Sequence, residues 1–95
     1  MTQAQMNEKV KIAQALVNLT DVIPTLPTEA WTAARCLRQL PEFRGLTRVV
    51  ELGWDARFQD EDRRDYHGYS ADDEHAVILA ACRWKRLELD QATES

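Results

Sequence analysis

The stretch QDEDRRDYHGYSADDEH, residues 59–75, contains both histidines, both tyrosines and seven of the sixteen acidic side chains of this chain. Carboxylates and imidazoles are the groups that hard-metal sites and two-carboxylate catalytic sites use. Their spacing argues against both kinds of site. A calcium-binding loop places oxygen ligands at alternating positions around a glycine, whereas arginines interrupt those positions here. The zinc pattern of two histidines four residues apart is absent as well, so the sequence predicts no metal site.

We therefore interpret residues 59–69 as a solvent-exposed loop that contributes little to stability, because no apolar period crosses it and exposed ion pairs are worth only about 0–1 kcal/mol. A row of carboxylates could imitate the phosphates of a nucleic acid toward a partner, and two tyrosines are candidate aromatic contacts. The predicted partner-binding residues of this segment are Asp60, Glu61, Asp62, Asp65, Tyr66 and Tyr69.

A second charged group consists of arginines between residues 35 and 48. Arg35 and Arg38 are three residues apart and share one face of a predicted helix, and Arg44 and Arg48 flank the turn that follows. Arginine suits planar, bidentate contact with a carboxylate or a phosphate. Two interpretations stay open: a solvated face that pairs with the acidic C-terminal half, and a partner-binding face. All four arginines are predicted partner-binding residues.

The sequence holds no recognisable catalytic motif. It has no glycine-rich phosphate loop and no serine elbow, and neither Cys36 nor Cys82 has a histidine nearby in sequence. We expect neither an enzyme nor a bound cofactor.

The length and composition predict one folded domain, 1–95, with a frayed tail over residues 91–95. No apolar run approaches the roughly 18 residues that a membrane-spanning helix needs. The two cysteines match no zinc or redox spacing, so we expect buried free thiols in a reducing cytoplasm. The net charge of −4 comes mostly from acids after residue 50.

The elements predicted around these side chains are helices. A helical period over residues 3–20 predicts a buried face that consists of Met6, Val10, Ala13, Leu16, Val17 and Thr20. A second helix follows Thr28 and ends at Leu40, before Pro41. The last helix begins near Ala71, behind a predicted Ser70 cap, and continues without proline or glycine.

Residues 46–57 can be interpreted in two ways. Leu46, Val49 and Trp54 fit helical spacing, which favours a third helix, whereas RVVEL is rich enough in β-branched residues for a short strand. The favoured fold is an all-α, single-domain bundle of about four helices. The alternative is an α+β fold with a short strand near residues 47–52. Trp31, Trp54 and Trp84 are each expected on the buried side of a helix, and an exposed tryptophan would indicate an interface.

These features favour a small protein-binding module, an inhibitor or adaptor that occupies a surface of a larger protein or nucleoprotein complex. In size and charge the chain resembles anti-CRISPR and anti-restriction proteins of phages and mobile elements. The alternative is a helix-turn-helix-like DNA-binding regulator that uses the arginines of residues 35–48. Direct nucleic-acid binding is not expected of an acidic chain, and no membrane partner is expected either. The sequence leaves a homodimer open.

Overall fold

The computed structural model describes residues 3–49, 51 and 53–87, and this part of the chain folds as three helices and a three-stranded antiparallel sheet. The all-α bundle prediction is therefore wrong, because residues 43–70 form a β-meander. The elements in chain order are α1 (Gln3–Val22), α2 (Ala30–Arg38), β1 (Phe43–Val49), β2 (Gly53–Gln59), β3 (Asp65–Ser70) and α3 (Asp73–Trp84).

Strand β2 lies at the centre of the sheet, which has the order β1-β2-β3. Its side chains alternate, with Ala56 and Phe58 buried under the helices and Arg57 exposed on the opposite face. Across the two ladders, Ala56 lies opposite Leu46 of β1 and Gly68 of β3. Along β2 the apolar residues Trp54, Ala56 and Phe58 alternate with polar residues, a period of two that the helical interpretation overlooked. In β3 the small residues Gly68 and Ser70 weaken that alternation.

The predicted third helix over residues 46–57 is replaced by the end of β1, a turn and most of β2. Residues 47–49 of the alternative short strand do lie in β1, and Glu51 lies in the turn. Glu51 has a φ of 79° and Gly53 a φ of 101°, so the chain reverses through left-handed backbone. Val50 and Leu52 lie outside the described residues.

Helix α3 packs directly on β2 and β3, and the close approach depends on a glycine. A Cβ atom on Gly68 would overlap the backbone of Ala76 and Ala80. Those two alanines and their neighbours Val77 and Ala81 are fully buried. Small residues on both surfaces therefore bring the helix backbone against the sheet.

Helix α1 covers the remaining part of the core with a face that overlaps the predicted one only in part. Of the predicted residues, Leu16 is buried, together with Ile12 and Leu19, whereas Val10 and Val17 are exposed. Nothing is described for the side chain of Met6. The apolar residues of α1 form two stripes, and only one of them contacts the rest of the described chain.

Aromatic rings close the core at the end of the sheet where α3 finishes. Phe58 stacks on Trp84 with ring centroids 5.0 Å apart, and Phe43 meets Phe58 edge-on at 5.4 Å. Trp54 also packs against the core and is partly buried. Trp31 departs from the expectation, since 51% of its surface is exposed.

Helix α3 begins and ends differently from the sequence prediction. Its N-cap is Asp72, whose carboxylate accepts the backbone N–H of Glu74 at 2.9 Å, rather than Ser70. The helix ends at Trp84, so it is shorter than the unbroken run suggested. The predicted frayed tail, residues 91–95, lies outside the described residues.

The two cysteines have different environments. Cys82 is buried in α3, as expected, but Cys36 is exposed on α2, so the prediction of two buried thiols is wrong for Cys36. Within the described ranges, no helix is long and apolar enough to cross a bilayer.

Candidate functional site

Helix α2 presents an aromatic and basic surface because its opposite side is buried. Ala33, Ala34 and Leu37 are buried in the core, and α2 packs against α3. Helical geometry then places one tryptophan and two arginines together on the exposed side. We call this surface the Trp–Arg face; it consists of Trp31, Arg35 and Arg38.

Trp31 and Arg35 form a cation–π pair. The guanidinium carbon of Arg35 lies 4.9 Å from the centroid of the Trp31 ring. Arginine is weakly hydrated, and its planar group can stack on an aromatic ring while its N–H donors remain directed outward. The pair therefore holds Arg35 in place with donors still free for a carboxylate.

A small polar cavity of about 50 Å³ lies between this face and the first turn of α3. Arg35 and Arg38 line it together with Asp73 and Glu74. In the part of the chain that the structure describes, no ion pair joins either arginine to a carboxylate. Loss of hydration raises the pKa of Glu74, and the charges of Asp72 and Asp73 raise it further. The cavity thus has a basic side and an acidic side.

On its other flank, the Trp–Arg face borders a wider depression of about 330 Å³. Its lining consists of Arg35, Arg38, Gln39 and Phe43. The two arginines therefore line both concave regions and separate one from the other. A partner that contacts them could fill either region.

The other two predicted arginines lie elsewhere. Arg48 is stacked over Trp54, with its guanidinium carbon 5.3 Å from the ring centroid. Arg44 lines a depression beside the β2–β3 turn with Glu42 and Glu61. Neither forms an ion pair within the described residues. The structure thus separates the four arginines into one pair and two single residues, and it does not show the internal pairing with the acidic half.

The predicted loop over residues 59–69 is a β-hairpin, so the loop prediction is wrong for most of this segment. Its turn is organised by Asp60, whose Oδ1 accepts the backbone N–H groups of Asp62 and Arg64, each at 2.9 Å. Tyr66 donates its hydroxyl to Oδ2 of the same carboxylate, also at 2.9 Å. The bond from the Arg64 N–H is the main cause that lowers the pKa of Asp60 below its ordinary value of 3.8.

The remaining predicted residues of the hairpin do not form a single surface. Glu61 and Asp62 are exposed at the turn, whereas Tyr66 is partly buried on the side of the helices. Asp65 lies on the open face of the sheet, where it accepts a hydrogen bond from Gln59. Tyr69 lies on the same open face and is 50% exposed. A row of free carboxylates is therefore not present.

The open face of the sheet carries a polar cluster that the sequence interpretation missed. Nδ1 of His67 lies 3.0 and 3.2 Å from the two carboxylate oxygens of Asp55. Because an ionised carboxylate only accepts, Nδ1 carries the proton, and Asp55 orients the ring. Tyr69 stacks beside His67, with the centroids 6.0 Å apart. The alternation of polar residues along β2 and β3 is the sequence signal that could have indicated this open face.

This cluster is not arranged as a metal site in the described part of the chain. Among the residues that the structure describes, no group of three or more histidine, cysteine or acidic side chains is arranged to hold a metal ion. His67 and Asp55 are therefore a cross-strand pair on an open surface.

Comparisons of the chain with protein-family models, with curated proteins and with solved structures found no match in any of the three. No function can be transferred to this chain from a relative.

Proposed function

We propose that this chain is a non-enzymatic protein-binding module, an inhibitor or adaptor that occupies a surface of a larger protein or nucleoprotein complex through the Trp–Arg face. The observation that carries the proposal is the half-exposed Trp31 beside two arginines that have no carboxylate partner in the described part of the chain.

Tryptophan and arginine are the residues most enriched among binding hot spots, because each buries a large surface and also makes a directional polar contact. An indole ring exposed to 51% retains much apolar surface that a partner can cover. Stacking on Trp31 already restricts Arg35. Binding therefore costs less side-chain entropy than it would for a freely moving arginine.

The expected partner segment combines an apolar side chain with carboxylates. The apolar group would cover Trp31, and the carboxylates would pair with Arg35 and Arg38 in bidentate geometry. Asp73 and Glu74 border the same cavity and repel a longer run of negative charge. A single acidic and apolar motif fits this surface better than a polyanion does.

The same acids argue against the DNA-binding alternative. They occupy the first turn of α3, where helix N-termini otherwise attract phosphate. The second helix of a helix-turn-helix motif would lie over residues 46–54, and the described residues of this range belong to β1, the following turn and β2. This observation favours the protein-binding proposal over that alternative.

Within this proposal the chain acts in the cytoplasm of a host cell, as an inhibitor of phage or mobile-element origin. A small acidic chain without a catalytic motif is suited to blocking a surface rather than turning over a substrate. Phage genes beside the coding sequence would support this origin, and a divergent promoter would favour regulation instead.

Two aromatic residues provide a matched test. Trp31 and Tyr69 are exposed to 51% and 50%, and they lie on different sides of the molecule. Each is replaced in turn by the photo-crosslinker p-benzoylphenylalanine in the native host, and covalent adducts are identified by mass spectrometry. We expect one defined protein adduct from position 31 and a much lower yield from position 69. Equal yields, or an adduct from position 69 alone, would refute the Trp–Arg face.

A further inference from the structure

The outer edge of β1 is unpaired in the part of the chain that the structure describes. Gln59 donates its backbone N–H to the carbonyl of Glu42, so the backbone N–H and C=O groups of this β2 residue face β1. The backbone groups of every second β2 residue also face β1, and those of the β1 residues opposite them face β2. The intervening residues Leu46 and Arg48 therefore direct their N–H and C=O groups away from the sheet. In the described ranges, no strand or helix is hydrogen-bonded to that edge.

The opposite edge of the sheet, along β3, is capped at one position by a side chain. Arg83 of α3 donates Nη1–H to the carbonyl of His67 in β3 at 2.8 Å. A charged side chain across an edge is one way in which proteins prevent additional strands from pairing. The described part of β1 has no equivalent cap, although a register shift between Phe43 and Gly45 limits its regular pairing to the second half of the strand.

The charges along β1 select the kind of strand that could pair there. Arg44 and Arg48 are exposed and form no ion pair with a described carboxylate. Glu42 precedes the strand and Glu51 follows it. The order acid, base, base, acid favours an added segment with negative charge at its centre. A second copy of β1 would instead place four guanidinium groups along one strand pair.

We propose that the free edge of β1 binds an extended acidic segment of a partner protein by strand addition. Backbone hydrogen bonds to Leu46 and Arg48 supply the pairing, and carboxylates near Arg44 and Arg48 supply the preference for an acidic sequence. This contact is separate from the Trp–Arg face and does not depend on it.

The test uses two synthetic nine-residue peptides that alternate valine with glutamate or valine with lysine. Each is added to the full-length, ¹⁵N-labelled chain, and amide hydrogen exchange is followed by NMR. We expect the glutamate peptide to slow exchange at Leu46 and Arg48 at least tenfold, whereas Gly45 and Thr47, already bonded to β2, change little. The lysine peptide should bind at least tenfold more weakly.

Two charge-reversal variants separate the edge from general electrostatic attraction. Arg44→Glu with Arg48→Glu should reverse the preference between the peptides, while Arg63→Glu with Arg64→Glu, an equal change in net charge at the hairpin turn, should preserve it. The proposal is overturned if the glutamate peptide protects neither Leu46 nor Arg48. It is also overturned if protection occurs along β3, or if β1 becomes protected with rising protein concentration alone, since a second copy would then cover the edge.

Discussion

The Trp–Arg face and the turn of the β2–β3 hairpin are both charged surface clusters, yet they differ in what their charges contact. Arg35 and Arg38 have no carboxylate partner in the described chain. Asp60, by contrast, accepts hydrogen bonds from two backbone N–H groups and from the Tyr66 hydroxyl. A carboxylate that already accepts three internal hydrogen bonds has little to gain from a partner. For this reason the proposed partner contact is placed at the Trp–Arg face rather than at Asp60.

The largest expected effect is on partner binding. Arg35→Glu combined with Arg38→Glu should weaken the complex at least about thirtyfold, because hot-spot losses are about 2 kcal/mol or more. Titration calorimetry with the purified partner, once crosslinking has identified it, measures the change. The matched control, Arg63→Glu with Arg64→Glu, alters the net charge equally at the hairpin turn. Comparable weakening by the control would show that long-range charge, rather than the Trp–Arg face, determines affinity.

The next largest effect is on the stability of the β2–β3 hairpin, where a charged side chain acts within the molecule rather than on a partner. Asp60→Ala should lower the melting temperature by several degrees, because it removes the acceptor that fixes the turn. Asp62→Ala, at an exposed carboxylate of the same turn, should leave it nearly unchanged. Circular dichroism melts of both variants measure the difference. This outcome would revise the sequence-based expectation that residues 59–69 add little to stability, whereas equal melting temperatures would restore it.

A smaller effect comes from the backbone of the same turn. Arg63 has a φ of 65°, the left-handed region that glycine adopts without a steric cost. Arg63→Gly should therefore raise the free energy of unfolding by about 0.5–1 kcal/mol, since relief of the left-handed conformation exceeds the added chain entropy. Urea denaturation measures this gain. Arg64→Gly lacks a left-handed conformation to relieve and should be destabilising, so a gain in both variants would point to charge instead.

The smallest effect is the pH dependence beside the Trp–Arg face. The pKa of Glu74 is raised, so its contribution to stability is fully present below its ordinary pKa of 4.5 and is lost as the pH rises through the folded value. Glu74→Gln should therefore be slightly more stable than the parent at neutral pH, and the difference should disappear below pH 4.5. Melts across this range measure it. A constant difference at every pH would exclude titration of Glu74 as the cause.

The stability that Asp60 contributes should change with pH in the opposite direction. Its pKa is lowered, so the stability that it contributes is present above its ordinary value of 3.8 and is lost as the pH falls through the folded value. Comparison of the parent with Asp60→Asn below pH 4 isolates this contribution. The two clusters can therefore be distinguished by the sign of their pH dependence.

The helices could be predicted from the sequence because their local signals are strong. The prolines after residue 23 end α1, and the acids at Asp72 and Asp73 start α3. The strands could not be predicted as readily. Gly68 and Ser70 are buried in β3, and the close packing of α3 requires the glycine. Neither residue is a large apolar one, so β3 lacks the apolar alternation that normally indicates a strand.

The candidate site was predictable only in part. The shared face of Arg35 and Arg38 follows from their spacing on one helix. The exposure of Trp31 does not, because the sequence cannot show that α2 is buried through Ala33, Ala34 and Leu37 alone. The internal role of Asp60 was hidden as well, since it depends on a turn between two strands that the helical interpretation did not contain.

The different environments of the two cysteines make the native chain suitable for site-specific labelling. Burial raises the pKa of the Cys82 thiol to about 12, so this group remains protonated and inaccessible to maleimides at neutral pH. Cys36 is exposed on α2, the helix that carries the Trp–Arg face. A single fluorophore can therefore be attached beside that face without any substitution, and its emission would report directly whether a partner has covered the helix.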